Sequence, residues 1–337
     1  MKKIVLAIMV LTLVFANVAF AAGQQEEATA QKTVKLSIPD PANSSVGMFA
    51  KVFSEKVAEK TDGKVNIEVY PDGVLFGRDQ NAAINMLEDG GLDALILSTS
   101  VFASFEPRMN AVSLPYLFGN YDEFIAYLNG APGQKLLNSL DRMNIVGLSL
   151  AIRTYRSITN SRGPIAVPAD LNGLKIRVPN NRLWVDFFGA LGADPTPMNF
   201  SEVYTALQLK TIDAQENPVE VPLANKFYEV QQYLSLTNHI ADSFGIFMNK
   251  AVWNSIDSAT QELIREAAIE AAEYKNTTDI AEEEKIISEL EAMGMKVNRL
   301  SDEQVALFQA EAMKLYPRFE SMVGSDFVQE SLEFLGR

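Results

Sequence analysis

The chain has 337 residues, 47% of them hydrophobic and 21% charged, with a formal net charge of -14. That length sets two domains or one domain in two lobes, and the acidity argues against a nucleic-acid partner, whose phosphates need a basic face. There is no cysteine and a single histidine, His239, which removes disulfides, thiolate metal ligands, a cysteine nucleophile and any multi-histidine zinc site.

The first residues address the compartment. Met1-Lys2-Lys3 is basic, residues 4–15 are apolar and Ala19-Phe20-Ala21 is a small-x-small cleavage pattern. This is a cleaved secretory signal peptide over 1–21, and its apolar run is short for a membrane span. Residues 22–32 are polar and rich in Gln, Glu and Ala, the composition of a disordered leader.

The folded part begins with residues 33–38, which alternate as a half-buried strand does. Asn43 and Ser44 can cap a helix over 46–60 that sets Phe49, Val52, Phe53 and Val57 on one face. Residues 65–70 alternate again. A helix follows over 79–88, stopped by Gly90-Gly91, and 94–97 form a short apolar run typical of a strand buried on both faces. Residues 145–152 supply another buried strand. Strands alternating with helices predict an α/β lobe around a mostly parallel sheet.

The pattern then restarts, with strands at 157–159 and 174–178 and helices over 181–191 and 201–209, which reads as a second α/β lobe. Ser258, with Glu262 shortly after it, predicts the start of a helix that continues to 292. At 1.5 Å per residue it reaches roughly 50 Å, more than one small lobe needs, so it spans both. Thr277-Thr278 is a candidate bend, and Glu282-Glu-Glu-Lys285 reads as a solvated face. Gly294 ends the helix, and a final helix begins at Ser301.

Two polar segments interrupt this apolar framework. Arg177 lies in Gly173-Leu-Lys-Ile-Arg-Val-Pro-Asn180, and Asp213-Ala-Gln-Glu-Asn-Pro218 is a second dense polar run. A cation on a mostly apolar strand needs an anion. A guanidinium matches a carboxylate with two parallel hydrogen bonds.

These segments also carry a family resemblance. Asp170-Leu-Asn-Gly-Leu-Lys-Ile-Arg-Val-Pro179, Gly192-Ala-Asp-Pro-Thr-Pro-Met198, Phe200-Ser-Glu-Val-Tyr204, Asp213-Ala-Gln-Glu-Asn-Pro218, Phe227-Tyr-Glu-Val230 and Leu236-Thr-Asn-His239 follow one another in a specific order and spacing, and Leu114-Pro-Tyr-Leu-Phe118 fits as well. The chain resembles the solute-binding subunit of a TRAP (tripartite ATP-independent periplasmic) transporter of the dicarboxylate-binding type. The resemblance implies an α/β, two-lobed periplasmic binding protein fold with hinge-crossing strands and a long helix spanning both lobes. It divides the chain into 33–153 plus 243–282 and 154–242 plus 283–337. It further implies a periplasmic protein that closes over a carboxylate solute and hands it to TRAP membrane permease subunits, with no cofactor, metal or catalysis.

Residue by residue, the resemblance makes Arg177 the partner of the solute's carboxylate, where the residues alone also allow a structural ion pair. Asn217 matches a cleft asparagine, and Arg156 a second cleft arginine, with Arg153 a competitor for that place. Phe200 is a cleft wall or a core side chain. Asn180 follows the strand and is expected to face the cleft. Asp79 sits where some relatives place a polar solute contact. Ser98 stands where sialate binders have glutamate, and Pro39 where they have asparagine, which argues against sialic acid. Glu216 is expected to pair with a basic neighbour. His239 is expected to be structural, and Trp184 and Trp253 to be core or interface aromatics. The solute is a sugar acid or a C4-dicarboxylate, with Asp79, Ser98 and Asn180 favouring the former. The competing functions are a secreted carbohydrate-active hydrolase with paired carboxylates and a ligand-presenting sensor subunit.

Overall fold

The computed structural model describes residues 31–337. The signal peptide and most of the leader fall outside the described residues. Strand β1 (Lys32–Ser37) leads to helix α1 (Ser45–Lys60), whose first turn is capped by Ser44 accepting from the Gly47 N–H. Strand β2 (Val65–Tyr70), helix α2 (Gln80–Asp89) and the fully buried strand β3 (Ala94–Ser98) follow. Helices α3 (Tyr121–Asn129) and α4 (Ala131–Ser139) precede β4 (Ile145–Ile152). The second half brings β5 (Arg156–Asn160), β6 (Lys175–Val178), α5 (Arg182–Ala190) and β7 (Asp194–Pro197). A 3-10 turn (Phe200–Glu202), helix α6 (Val203–Gln208), β8 (Ala214–Pro218), β9 (Tyr233–Ile240) and β10 (Ser243–Asn249) come next.

The strands form two sheets, in the orders β2-β1-β3-β10-β4 and, with β11 (Lys296–Arg299), β11-β9-β5-β8-β6-β7. Both are mixed, the second with three parallel pairings of five, where the sequence pattern predicted a mostly parallel sheet in the first lobe. In the first, β1 and β3 are parallel but β10 runs antiparallel to both β3 and β4. In the second, β6 is parallel to β7 and β8 while β5 is antiparallel to β8 and β9. The reason is the chain path. β4 runs into β5 through residues 153–155, and β9 runs into β10 through 241–242, with no helical crossover to restore direction. The two crossings are themselves joined, the Arg153 N–H donating to the Asp242 carbonyl at 2.9 Å.

Helix α7 (Ser258–Ala292) has 35 residues and braces both sheets. Near its start Ile264, Ala267, Ala268 and Ala271 pack with α1 and the first sheet. Near its end Ile287 and Leu290 pack with Val219, Leu234 and Leu236 of the second. Midway it grips the first crossing, where Asn276 Oδ1 accepts from Ile152 N–H (2.8 Å) and Lys275 Nζ donates to Ile152 O (3.0 Å). The N-cap is Asp257, not Ser258. Asp257 has extended backbone and accepts from the Thr260 N–H, while Ser258 is already helical. The helix passes through Thr277 without interruption, its hydroxyl bonding back to the Glu273 carbonyl. The acidic stretch is not wholly a solvated face either: Glu283 turns inward to accept from Tyr121 Oη at 2.9 Å.

One final helix was expected after Ser301, and there are three: α8 (Asp302–Met313), α9 (Tyr316–Val323) and α10 (Ser325–Phe334). Pro317 sits in the first turn of α9, and Gly324, at φ 108°, separates α9 from α10 in a region closed to most side chains. These helices are seated on the segment before β4. Tyr316 Oη donates to the Pro115 carbonyl (2.9 Å), and Tyr127 bonds Ser331 (2.8 Å). Trp184 and Trp253 are both buried in cores.

Candidate functional site

The crossings bring charged side chains into the space between the sheets. β5 contributes Arg156, β6 Arg177, and β8 Gln215, Glu216 and Asn217, with Arg177 in register with Gln215 and Ser157 with Asn217. Arg153 and Asp242 come from the crossings. Asp40 follows β1, and Ser98 ends β3.

Arg177 is 4% exposed. Its Nε and Nη2 donate to one backbone carbonyl, that of Met198, at 3.0 and 2.7 Å. Among the described residues no carboxylate lies within 4.0 Å of it. Burial pulls its pKa down to about 9, Glu216 opposing and Arg156 and Arg153 reinforcing that pull. The guanidinium remains a cation near neutral pH, one that an incoming anion would relieve.

Arg156 is the opposite case. Its Nε and Nη2 bond Glu216 Oε2 (2.5 Å) and Oε1 (2.8 Å), Nη1 bonds Asp242 Oδ2 (2.9 Å), and Nη2 also reaches Asn217 Oδ1 (3.0 Å). Burial alone would depress its pKa, but Glu216 and Asp242 outweigh burial and hold it above the ordinary value. Arg153 pairs with Asp242 (3.1 Å) and Glu220 (3.3 Å), leaving its buried Nε without a partner. Glu216 thus pairs with a basic neighbour, as expected. His239 is buried, bonding Glu216 through Nε2 (3.2 Å) and Thr237 through Nδ1 (2.7 Å), the structural setting expected of it.

A cavity of about 40 Å³ lies among Arg153, Arg156, Arg177, Asn217, Asp40, Gln80, Ser98 and Ser100, with Phe200, Val221, Phe244 and Pro179 as apolar walls. That is room for about three ordered waters. Five of the seven sequence-predicted residues therefore meet here: Arg177, Asn217, Arg156, Phe200 and Ser98. Arg153 lines the same cavity, so the two arginines share the place for which they competed. Phe200 is half-buried, its ring centroid 5.9 Å from the Arg177 guanidinium and 6.2 Å from the Phe227 ring, so it serves cavity and core together. Asn217 spends one amide N–H on Gln215 Oε1 (2.7 Å) and retains another. Ser98 is present, but its hydroxyl is committed to Asp242 (2.8 Å).

Asn180 and Asp79 are not brought in. The Asn180 amide is exposed and donates to Asn199 Oδ1 at 3.2 Å. The Asp79 carboxylate caps α2, accepting from Asn81 and Ala82 N–H at 2.9 and 3.1 Å. Each polar end has a local partner that outcompetes the cleft. Sequence reasoning missed Asp40, Gln80, Ser100, Asp242, Val221 and Phe244. Two of these carried a usable signal. Asp242 is an acid between two long apolar strands, and Asp40 is an acid held between Pro39 and Pro41 at the end of a strand.

Two crossing segments, a bracing helix and a charged cleft between two mixed sheets define a solute-binding protein. Residues 37–322 match the bacterial extracellular solute-binding protein family 7 (DctP), and the chain belongs to that family. It is 34% identical to the 2,3-diketo-L-gulonate-binding periplasmic protein YiaO of Escherichia coli, over 80% of this chain and 81% of the relative. Among solved structures it is similar to the sugar acid binding protein DctPAm of Advenella mimigardefordensis in complex with galactonate (TM-score 0.86, 29% identity, 90% of this chain and 97% of that one). It is likewise similar to a TRAP periplasmic solute binding protein of Shewanella oneidensis with bound succinate (TM-score 0.84, 28% identity, 90% and 99%).

Proposed function

We propose that this protein captures a small organic carboxylate in the cleft between its two sheets and delivers it to the membrane permease of a TRAP transporter. Arg177 receives the solute's carboxylate on its fork of donors. The free N–H of Asn217 and the unpartnered Nε of Arg153 supply further donors, and Arg156, locked by Glu216 and Asp242, holds the frame. Phe200 covers the solute's apolar face. Relatives that bind galactonate, diketogulonate or succinate support a solute drawn from sugar acids and C4-dicarboxylates. The signal-peptide pattern over 1–21 and the extracellular solute-binding family support a periplasmic location for the mature protein.

The arginines and Asp40 that line the cavity are nearly closed off from solvent, so entry requires the lobes to part. We take residues 33–153 plus 243–282 and residues 154–242 plus 283–300 as the moving bodies, hinged at the crossings; the division expected from the sequence put 301–337 in the second body. The C-terminal helices, seated on Pro115 and Tyr127, go with the first body. No chemical step is assigned to the site.

The observation that carries this reading is Arg177: a buried cation without a protein anion, facing a cavity. Each charge-assisted hydrogen bond is worth about 1.5–3 kcal/mol. Arg177→Ala should therefore weaken binding of galactonate or succinate by about 100-fold or more in calorimetry, with the fold intact by circular dichroism. Undiminished affinity in that variant would remove Arg177 from the site.

A further inference from the structure

A second charged group in the cleft also lacks a partner. Asp40 is 8% exposed and lines the cavity with the arginines. The other cleft carboxylates are engaged: Glu216 by Arg156, Glu220 by Arg153, and Asp242 by both arginines and Ser98. Among the described residues, no donor lies within hydrogen-bond distance of the Asp40 side chain, which feels Arg153 and Lys275 only through space. An ionised carboxylate is purely an acceptor, and the Asp40 oxygens keep some contact with solvent, so they are open to a donor that enters the cavity.

A donor on a solute in the cavity can take the place of that solvent. Its carboxylate is taken by Arg177, so the donor belongs to another part of the molecule. A cationic donor would meet Arg153, Arg156 and Arg177 around the same small space, whereas a hydroxyl brings no charge. A second carboxylate would bring a like charge to Asp40 and no proton to give. We propose that Asp40 accepts a hydrogen bond from a solute hydroxyl and so selects hydroxylated monocarboxylates, of the aldonate kind, over plain dicarboxylates. This rests on the carboxylate-capture reading of the same cleft. Gln80, whose amide also lines the cavity, can donate to or accept from the same hydroxyl.

The test is calorimetry at neutral pH with galactonate, erythronate and succinate on the intact mature protein, Asp40→Asn, Asp40→Ser and Arg177→Ala, each checked by circular dichroism. Wild type should bind at least one hydroxy acid about tenfold or more tighter than succinate. Both Asp40 variants should weaken that hydroxy acid about tenfold or more, the loss of one charge-assisted bond, and bring its affinity close to that of succinate. Succinate binding tighter than both hydroxy acids in wild type, or a preference unchanged in whichever Asp40 variant folds, overturns the inference. If Arg177→Ala still abolishes binding in that case, carboxylate capture survives without it. If no carboxylate binds wild type, or Arg177→Ala binds normally, both fall together.

Discussion

Arg153, Arg156 and Arg177 converge on one cavity, yet the carboxylates within ion-pair distance serve only the first two. The unmatched pair is Arg177 and Asp40, one cation and one anion, each buried against the cavity. Their states carry opposite pH signatures. Asp40 is pushed up to about 6, chiefly by burial. The folded protein then holds the proton more tightly than the unfolded chain, so stability falls as pH rises from about 4 to about 6. Asp40→Asn removes that deficit. At about pH 7.5 the variant should be more stable in urea by up to about 3 kcal/mol, with the gain vanishing near pH 3.5. A variant no more stable at the higher pH would show that Asp40 is solvated. For Glu216, burial would raise the pKa, but Arg156 and His239 bring it down to about 2. Its contribution is present above about pH 4.5 and is lost as pH falls toward 2. Stability at a site made for a ligand is thus set aside at Asp40 and concentrated at Glu216.

At the scale of elements, the long helix is the piece on which the geometry depends. Its start is fixed by Asp257, whose carboxylate accepts from the N–H and the hydroxyl of Thr260 at 3.0 and 2.7 Å. Asp257→Ala should lower the midpoint of chemical denaturation clearly, and Ser258→Ala should leave it nearly unchanged. Equal effects would restore Ser258 as the cap. Much of this level was legible in the chain. The strands at 65–70 and 145–152 and the end of the long helix at 292 follow from alternation, apolar runs and Gly294, all local properties. Strand direction was not legible, because β5 and β10 are antiparallel to their neighbours through where the chain crosses, which no local pattern encodes. The same holds for the site. Arg177 stood out as a cation in an apolar strand. Asp79 and Asn180 were misplaced because a helix cap and a neighbouring Asn199 claim their side chains, and Asp40 was missed because its burial arises only when the two sheets meet.

For the whole molecule, the crossings are the proposed hinge, and they also supply Arg153 to the cavity. Asp242 ties them together: its carboxylate takes Arg153 and Arg156, its carbonyl takes the Arg153 N–H, and Ser98 donates to it from the first sheet. Asp242→Asn leaves two buried guanidinium groups short of a counter-charge and should destabilise the protein by about 3–5 kcal/mol. A loss below about 1 kcal/mol would mean that the crossings are held by their backbone alone. Carboxylate capture requires Arg177 to exchange its bonds to the Met198 carbonyl for a solute carboxylate. A crystal structure of the galactonate complex tests it most directly. Both carboxylate oxygens of galactonate should lie within hydrogen-bond distance of the Arg177 guanidinium, between the two sheets. A complex in which Arg177 still bonds only Met198, with the galactonate carboxylate held elsewhere, would contradict it.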